Sequence, residues 1–375
     1  MTVAVVNASN LHVGGGVAVA VSFLDILARD KARDCGNIVL LVSTTCFRNL
    51  LRLGTNLDSF QEVIVFDSRP RKAWALSRIL YKLRPYLIFT IFGPTYSLIP
   101  SNTILVSGIA NPFLIFPRNN FCKTRGLLSR LRSSLFHLVP SLVMHRVNHL
   151  ICETNAAKDS LSTLYPGSPI SVVPSGFHDI YLFPDRWEPI AHSSLNTKSL
   201  KLGLIACNYP HKNLGILQNV LHLLRAHFNL DVDIFVTLTH HSFVRTFCLT
   251  GPLPQNVGQL SLAQCPTFYS SMDAIIFPSL LESFSAVTLE ALIMRCPLFV
   301  SDITNVNEPC SNHCIKFDPD DTLDIASKVV SFFSLSSAAR HLHIDKAYQY
   351  ALSLSSSGRE RASSYLNILE SYGAG

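Results

Sequence analysis

The chain has 375 residues, of which 48% are hydrophobic and 15% are charged, and its formal net charge is +6. This length allows two separate cores, since a domain takes roughly 100–200 residues. The ten cysteines are spread along the chain, which excludes a small disulfide scaffold and favours a reducing compartment. No apolar run reaches the roughly 18 residues that a membrane-spanning helix needs. The first residues do not follow the plan of a signal peptide, so we expect a cytoplasmic location.

Apolar runs rich in β-branched and aromatic residues recur along the first half of the chain. In order they read VAVVN, NIVLLVS, EVIVFD, LIFTIF, NTILVS, HLICE and ISVVPS. Helical stretches such as VAVAVSFLDILARD and AWALSRILYKL lie between them. Continuous apolar strands of this kind predict a parallel sheet that is covered by helices on both faces. We therefore assign residues 1–186 to a Rossmann-like N-terminal domain.

Acidic residues are absent between Ser68 and Cys152. That stretch contains twelve basic residues: Arg69, Arg71, Lys72, Arg78, Lys82, Arg84, Arg118, Lys123, Arg125, Arg130, Arg132 and Arg146. Subtracting this +12 from the net +6 leaves −6 for the rest of the chain, so the first half should attract an anionic partner.

Two segments of this basic stretch mix positive charges with apolar residues, RKAWALSRILYKLRPYL and RGLLSRLRSSLFHLV. The pattern is typical of amphipathic helices that lie on an anionic membrane, and an ordinary solvated helix face is the alternative. We expect membrane contact rather than nucleic-acid binding. The apolar residues expected to insert shallowly are Trp74, Leu76, Leu80, Leu127, Leu128 and Leu131.

The sequence becomes polar and proline-containing at PDRWEPIAHSSLNTKS, and we predict a linker over residues 187–199. Strands and helices then alternate again, with LKLGLIA, VDIFVTL, AIIFPS, PLFVS and CIKF as the strands. Residues 200–375 are therefore predicted to form a second Rossmann-like domain, whose last helix packs back on the first domain. The predicted fold class is α/β, with two such domains facing each other across a cleft. Ligands in such folds bind at the carboxyl ends of the strands.

Three glycines, Gly14, Gly15 and Gly16, follow the first predicted strand and precede a helix. Without a Cβ they let backbone amides approach a ligand, and a helix N-terminus favours a negative charge such as a pyrophosphate. In the second half, Glu282 and Glu290 lie eight residues apart, on the loop after AIIF and in the helix that follows. A loop carboxylate there can face a bound sugar, and a helical one can accept hydrogen bonds from both hydroxyls of a ribose.

The segment FPSLLESFSAVTLEALIMRCPLFVSD resembles the Glu-x7-Glu signature of the family-four glycosyltransferases, usually written EGFGxxxxEA. Residues 173–184, VPSGFHDIYLFP, look like the VPNGVDxxxFxP that precedes the interdomain link in that family, and residues 209–214, YPHKNL, look like its phosphate-binding lysine loop. These motifs occur in the family's order over residues 170–330. FTIFGPTYS and GIANPFLIFP are similar to a bacterial surface-polysaccharide branch.

The resemblance implies a GT-B fold with the acceptor on the N-terminal side and the donor on the C-terminal side. Lys212 would meet the donor pyrophosphate, Glu290 would hold the ribose, and Glu282 would face the transferred sugar. Ser283, Phe284 and Ser285 would complete the donor site with Gly14, Gly15 and Gly16, and Asn111 would lie on the acceptor side. Glu282 and Lys212 are the residues to which we assign catalysis.

This chain departs from the family pattern at several positions. Ala206 and Cys207 stand where the family often has an Arg, and Ser283 and Ser285 replace two glycines of EGFG. The sequence GIANPF has Ala110 and Asn111 where many members place a His near the reaction centre. These changes leave open a catalytically degenerate module that still binds a nucleotide.

Metal-dependent and dinucleotide-dependent chemistry are weaker alternatives. Asp231 and Asp233 imitate a DxD motif, but they precede the apolar run IFVTL, at the amino end of the predicted strand, whereas that motif should lie at a strand's carboxyl end. Cys310, His313 and Cys314 are closely spaced, yet a zinc site needs about four ligands. A dinucleotide-dependent oxidoreductase is disfavoured because the glycine run is not GxGxxG. His240 and His241, which follow a strand, could line the cleft or be solvated.

We therefore predict a retaining enzyme that moves a hexose or N-acetylhexosamine from a nucleotide diphosphate sugar to an acceptor hydroxyl, without a cofactor or an essential metal. The acceptor would be a saccharide or a lipid-linked saccharide in bacterial lipopolysaccharide, O-antigen or capsule assembly. The protein would be cytoplasmic or peripheral on the inner face of the cytoplasmic membrane.

Overall fold

A computed structural model of the protein describes residues 3–12, 14–29, 35–117, 119, 142–191, 195, 197–248, 250–354 and 358–373. The chain forms two compact units. The first comprises Met1–Ser175 and Ser356–Gly375, and the second comprises Gly176–Ser355. The first boundary between the units, after Ser175, therefore precedes the linker that we expected over residues 187–199. The last residues of the chain belong to the first unit.

The first unit contains a sheet of seven parallel strands. They are β1 Ala4–Ala8, β2 Ile38–Val42, β3 Glu62–Val65, β4 Leu87–Thr90, β5 Ile104–Gly108, β6 His149–Cys152 and β7 Ile170–Val172. Their order across the sheet is β3-β2-β1-β4-β5-β6-β7, so the strand order reverses at β1. A crevice forms at such a reversal, outside the carboxyl ends of the strands.

In the part of the first unit that the structure describes, five helices lie between the strands: α1 Gly15–Arg29, α2 Thr44–Arg52, α3 Ala73–Leu83, α4 Pro112–Ile115 and α5 Asn155–Leu164. Helix α1 packs on one face of the sheet through Phe23 and Leu24. Helices α3 and α5 pack on the other face, where Leu76, Leu80 and Leu161 are buried. The expectation that Leu76 and Leu80 would insert into a membrane is therefore wrong, because the helix uses these residues to reach the core.

The second unit contains a sheet of six parallel strands in the order β10-β9-β8-β11-β12-β13. The strands are β8 Leu200–Leu204, β9 Val232–Val236, β10 Gln255–Asn256, β11 Ala274–Phe277, β12 Leu298–Ser301 and β13 Ile315–Phe317. The helices are α6 Ile216–Ala226, α7 His240–Thr246, α8 Cys265–Ser270, α9 Ala286–Ile293, α10 Thr304–Asn307, α11 Thr322–Phe333 and α12 Ser337–Leu354. The strand order reverses at β8, which pairs with β9 on one side and β11 on the other.

Helix α13, Gly358–Glu370, follows the second unit in the sequence and packs on α1 of the first unit. Tyr365 is almost fully buried there, and its ring lies edge-on to Phe23 at 5.4 Å and tilted against Phe89 at 5.3 Å. The predicted fold class is confirmed: both units are parallel α/β structures of the Rossmann type. Within the described residues no helix combines the length and the hydropathy that crossing a bilayer requires.

Candidate functional site

The loop that carries Lys212 follows β8 at the point where the strand order of the second unit reverses. A short 3-10 turn, Pro210–Lys212, closes this loop, and Asn213 follows it in the left-handed conformation at φ 52°. The Asn213 amide donates a hydrogen bond to the carbonyl oxygen of Pro319 at 2.9 Å. The loop is therefore fixed at a defined position beside the carboxyl end of β8.

His211 is the middle residue of this turn and is buried, with its ring stacked on that of Tyr209 at 5.6 Å. Burial, reinforced by the nearby charge of Lys212, lowers the pKa of His211 to about 4. The imidazole is therefore neutral at neutral pH and does not repel the ammonium group beside it. The backbone carbonyl of His211 accepts a hydrogen bond from the backbone amide of Leu280 at 2.7 Å, which ties this loop to the one after β11.

Lys212 and Glu282 meet as an ion pair where these two loops come together. The distance from Lys212 Nζ to Glu282 Oε1 is 2.6 Å. The lysine side chain is 16% exposed and the glutamate side chain 7%, so the pair is shielded from bulk water. Lys212 Nζ also lies 5.0 Å from the ring centroid of Phe277, at the end of β11. Charges in such a setting interact more strongly than on an open surface.

Two further groups hold Glu282 in place. The hydroxyl of Ser279 donates to Glu282 Oε1 at 2.5 Å, and Ser279 is fully buried. The amide of Asn305, in α10, donates to the backbone carbonyl oxygen of Glu282 at 3.1 Å. Glu282 is thus linked to loops that follow three neighbouring strands, β8, β11 and β12.

Glu290 is the fifth of the eight residues of α9 and is partly buried. The hydroxyl of Tyr269, a buried residue of α8, donates to Glu290 Oε2 at 2.9 Å. Burial raises the pKa of the Glu290 carboxyl, and the hydrogen bond from Tyr269 opposes that rise. The carboxylate is therefore held in one orientation by a rigid aromatic residue.

Ser283, Phe284 and Ser285 lie between Glu282 and the start of helix α9. Ser283 and Ser285 are buried, and Phe284 is partly buried against the core of the second unit. The backbone carbonyl of Ser285 accepts a hydrogen bond from the hydroxyl of Thr288 at 2.6 Å, which fixes the start of α9. These three residues belong to the same loop as Glu282.

The site residues predicted in the first half of the chain belong to the first unit. Gly14 adopts a φ of 77°, which favours glycine, and Gly15 and Gly16 begin helix α1. Asn111 is exposed and caps helix α4, since its Oδ1 accepts a hydrogen bond from the backbone amide of Phe113 at 3.0 Å. The glycines follow β1 and Asn111 follows β5, so both lie at the carboxyl edge of the first sheet.

The histidines that follow β9 lie in helix α7 and are exposed. His241 lines an open groove of about 440 Å³ beside the lysine loop, together with Asn208, Tyr209 and Arg245. The Asn208 amide donates to the backbone carbonyl of Ser242 at 3.4 Å and bridges the two walls of this groove.

The carboxylates of the DxD-like pair lie at the amino end of β9. Asp233 accepts a hydrogen bond from Arg225 at 2.5 Å and another from Ser199, also at 2.5 Å. Cys310 and Cys314 are buried, with their sulfur atoms 2.8 Å apart. Within the described part of the chain, no group of three or more His, Cys, Asp or Glu side chains could hold a metal ion.

Three residues that support the glutamates were not predicted from the sequence. Ser279, Asn305 and Tyr269 all lie within residues 170–330, over which the sequence resembles the family, but the resemblance did not single them out. Tyr269 offered no signal, because a buried tyrosine in a short helix is an ordinary core residue.

The chain is similar to known proteins both in sequence and in fold. Residues 204–334 match the family model of glycosyl transferases group 1. The chain is 23% identical over 270 residues to the O-antigen chain mannosyltransferase RfbU of Salmonella typhimurium, a match that covers 71% of this chain and 70% of that protein. The family match supports glycosyl transfer as the class of activity.

Solved structures share the fold over the whole chain. Anabaena HepE in complex with UDP-glucose has a TM-score of 0.66 at 14% identity, with 99% of this chain and 100% of that chain covered. Sucrose-phosphate synthase from Thermosynechococcus elongatus has a TM-score of 0.68 at 11% identity, with 100% and 99% covered. These neighbours have the GT-B fold, which this chain therefore shares.

Proposed function

We propose that the protein is a retaining glycosyltransferase that moves a hexose or an N-acetylhexosamine from a nucleotide diphosphate sugar to an acceptor hydroxyl. The observation that carries this proposal is the shielded Lys212–Glu282 pair, which lies where the strand order of the second unit reverses. Glu290 lies in helix α9, which follows the loop of Glu282. The family match over residues 204–334 includes all three residues. HepE, which shares the fold, was solved with UDP-glucose bound.

In this proposal each charged residue has one task. The Lys212 ammonium group stabilises the negative charge that develops on the departing diphosphate, which is the main electrostatic need of such a transfer. The backbone amides of Gly14, Gly15 and Gly16 serve the same diphosphate. Glu290 accepts hydrogen bonds from the ribose hydroxyls, and Glu282 accepts one from a hydroxyl of the transferred sugar.

The proposed reaction needs no metal and no covalent intermediate. The acceptor oxygen bonds to the anomeric carbon while the bond from that carbon to the diphosphate oxygen breaks. The proton of the acceptor hydroxyl passes to the departing diphosphate. Because both events occur on one face of the sugar, the anomeric configuration is retained.

For the acceptor we propose a saccharide or lipid-linked saccharide of bacterial lipopolysaccharide, O-antigen or capsule assembly, with Asn111 on the acceptor side. The similarity to an O-antigen chain mannosyltransferase supports this class. The basic stretch between Ser68 and Cys152 supports a peripheral location on the anionic inner face of the cytoplasmic membrane, where lipid-linked acceptors are held.

The alternative is a degenerate module that binds a nucleotide sugar without transferring it. Ser285 in place of a family glycine, with Ala206 and Cys207 in place of the family Arg, is the observation that keeps it open. The two functions differ in turnover, because a degenerate module binds the donor and releases no nucleoside diphosphate.

A donor panel tests the proposal. UDP-glucose, UDP-N-acetylglucosamine, GDP-mannose and dTDP-linked sugars are assayed for thermal stabilisation of the protein and for release of the nucleoside diphosphate, with and without EDTA. We expect one nucleotide class to stabilise the protein and to be turned over in EDTA. The variant Lys212→Met should lose turnover at least about a hundredfold, the range seen when one group that stabilises a developing anion is removed.

The matched control for this panel is Lys328→Met, since Lys328 is an exposed lysine of α11 in the same unit. Stabilisation without diphosphate release would favour the degenerate module. Turnover that disappears in EDTA and returns with manganese would contradict the metal-free reaction.

A further inference from the structure

The hydroxyl of Ser279 lies within hydrogen-bond distance of three oxygen atoms. Glu282 Oε1 is 2.5 Å away, the backbone oxygen of His211 3.2 Å and that of Leu281 3.5 Å. A serine hydroxyl has one proton to donate, and an ionised carboxylate at the shortest distance is the strongest acceptor. The proton of Ser279 is therefore directed at Glu282.

The two oxygens of the Glu282 carboxylate have different surroundings. Oε1 accepts from both Lys212 Nζ at 2.6 Å and Ser279 Oγ. In the part of the chain that the structure describes, Oε2 accepts no hydrogen bond. The terminal torsion of a glutamate is normally broad, so two donors on one oxygen fix an orientation that the side chain would not keep by itself.

The backbone around Glu282 is held by different contacts. Asn305 binds the carbonyl oxygen of Glu282, and the amide of Leu280 binds the carbonyl oxygen of His211. Removal of the Ser279 hydroxyl would therefore leave the loop tied to its neighbours. The removal would instead affect the orientation of the Glu282 carboxylate.

From this geometry we propose that Ser279 is a positioning residue, which holds Oε1 of Glu282 so that Oε2 is the oxygen offered to a sugar hydroxyl. The inference rests on the proposed function, in which Glu282 faces the transferred sugar. It assigns to Ser279 a role in the recognition of the sugar part of the donor, as distinct from the nucleotide part.

The test is a double-mutant cycle between Ser279 and Glu282. The quantity compared is the sugar increment, which we define as the Kd of the nucleoside diphosphate divided by the Kd of its sugar conjugate. Calorimetry is done with UDP against UDP-glucose and with GDP against GDP-mannose. Ser279→Ala should lower the sugar increment about tenfold, the size expected for one charge-assisted hydrogen bond, and should leave the Kd of the nucleoside diphosphate within about twofold. In a Glu282→Gln background, the same change should have an effect below about twofold, because the residue it acts through is already altered.

Two controls separate positioning from a merely structural role. Ser279→Thr keeps the hydroxyl and should keep most of the sugar increment. Ser271→Ala removes a hydroxyl that donates to the backbone oxygen of Thr267 at 2.7 Å, away from Glu282, and should change nothing in binding. The melting temperature of each variant reports whether it folds.

The outcomes are distinct. An equal loss from Ser279→Ala in both backgrounds, or an equal loss for the nucleoside diphosphate and its sugar conjugate, would overturn the positioning role and leave the proposed function intact. If the wild type binds no nucleotide class of the donor panel, the donor assignment fails and the role of Ser279 fails with it.

Discussion

At the scale of single residues, Glu290 is a carboxylate that a neighbouring tyrosine orients. The Tyr269 hydroxyl donates to one of its oxygens, and Tyr269 belongs to the core of the second unit. A carboxylate that is already oriented loses little freedom when it binds a ligand, so each hydrogen bond it makes contributes nearly in full.

We predict that Glu290→Ala weakens binding of the nucleoside diphosphate at least about tenfold, since charge-assisted hydrogen bonds to the ribose contribute about 1.5–3 kcal/mol. Tyr269→Phe keeps the carboxylate and should weaken binding only a few-fold. Calorimetric titration of both variants measures this, with the exposed Asp320→Ala as the control. A Kd that is unchanged in a folded Glu290→Ala protein would remove Glu290 from the site.

Glu153, directly after β6, is a buried carboxyl group of the first unit. Burial raises its pKa to about 7, although the hydroxyl of Ser175 and the charge of Arg361 act in the opposite direction. Because the folded-state pKa lies above the ordinary value, the protonated form is favoured in the folded protein. Its stabilising effect is complete below the unfolded-state pKa and is lost as the pH rises toward 7.

We predict that Glu153→Gln, which cannot ionise, gains stability relative to the wild type as the pH rises. The difference in unfolding free energy should change by roughly 2–3 kcal/mol between pH 5 and pH 8, since one pKa unit corresponds to about 1.4 kcal/mol. Urea unfolding at several pH values measures it. The exposed Glu62→Gln should show a flat profile, and a flat profile for Glu153→Gln would mean that the buried carboxyl does not titrate in this range.

At the scale of elements, helix α3 divides its residues sharply between the core and the surface. Leu76 and Leu80 are buried, whereas Trp74 is 63% exposed and Tyr81 is 52% exposed. The guanidinium of Arg78 lies 3.5 Å from the ring centroid of Trp74. The exposed face therefore combines aromatic rings with positive charge, a composition that suits the interface of an anionic bilayer.

We predict that the protein sediments with anionic vesicles at low salt and is released at high salt, since each basic residue near such a surface contributes about 1 kcal/mol. The combined variant Trp74→Ala, Arg78→Ser and Lys82→Ser should reduce the bound fraction several-fold. The matched control changes exposed residues of the second unit, Leu342→Ala, Lys328→Ser and Lys346→Ser. Wild type that stays in the supernatant would contradict the membrane contact.

The second basic segment remains a sequence prediction. Lys123, Arg125, Arg130 and Arg132, with Leu127, Leu128 and Leu131, lie outside the described residues, as does Arg118. Helix α3 alone therefore carries the structural argument for the membrane surface.

At the scale of the whole molecule, the sequence predicted the elements better than their contacts. Short continuous apolar runs predict buried parallel strands because both faces of the sheet are covered, and each predicted run overlaps a strand of the structure. The Glu-x7-Glu spacing likewise placed two carboxylates on one loop and one helix.

Local sequence patterns did not predict which residues far apart in the sequence come into contact. Lys212 and Glu282 are 70 residues apart in the sequence, and their contact depends on the pairing of β8 with β11, which no local pattern encodes. The support that Tyr269 gives to Glu290 depends in the same way on how α8 packs against α9. Hydrophobic periodicity predicts which face of a helix or strand is buried, but it does not predict which other element packs against that face.

The return of helix α13 to the first unit also determines when each unit can be completed during synthesis. The second unit is one continuous segment, Gly176–Ser355, whereas the first unit lacks Tyr365 and the rest of α13 until the second has left the ribosome. Until then Phe23 and Phe89 form part of an unfinished core. A nascent chain that stalls within the second unit therefore exposes an aromatic patch on the first, a surface of the kind that chaperones bind.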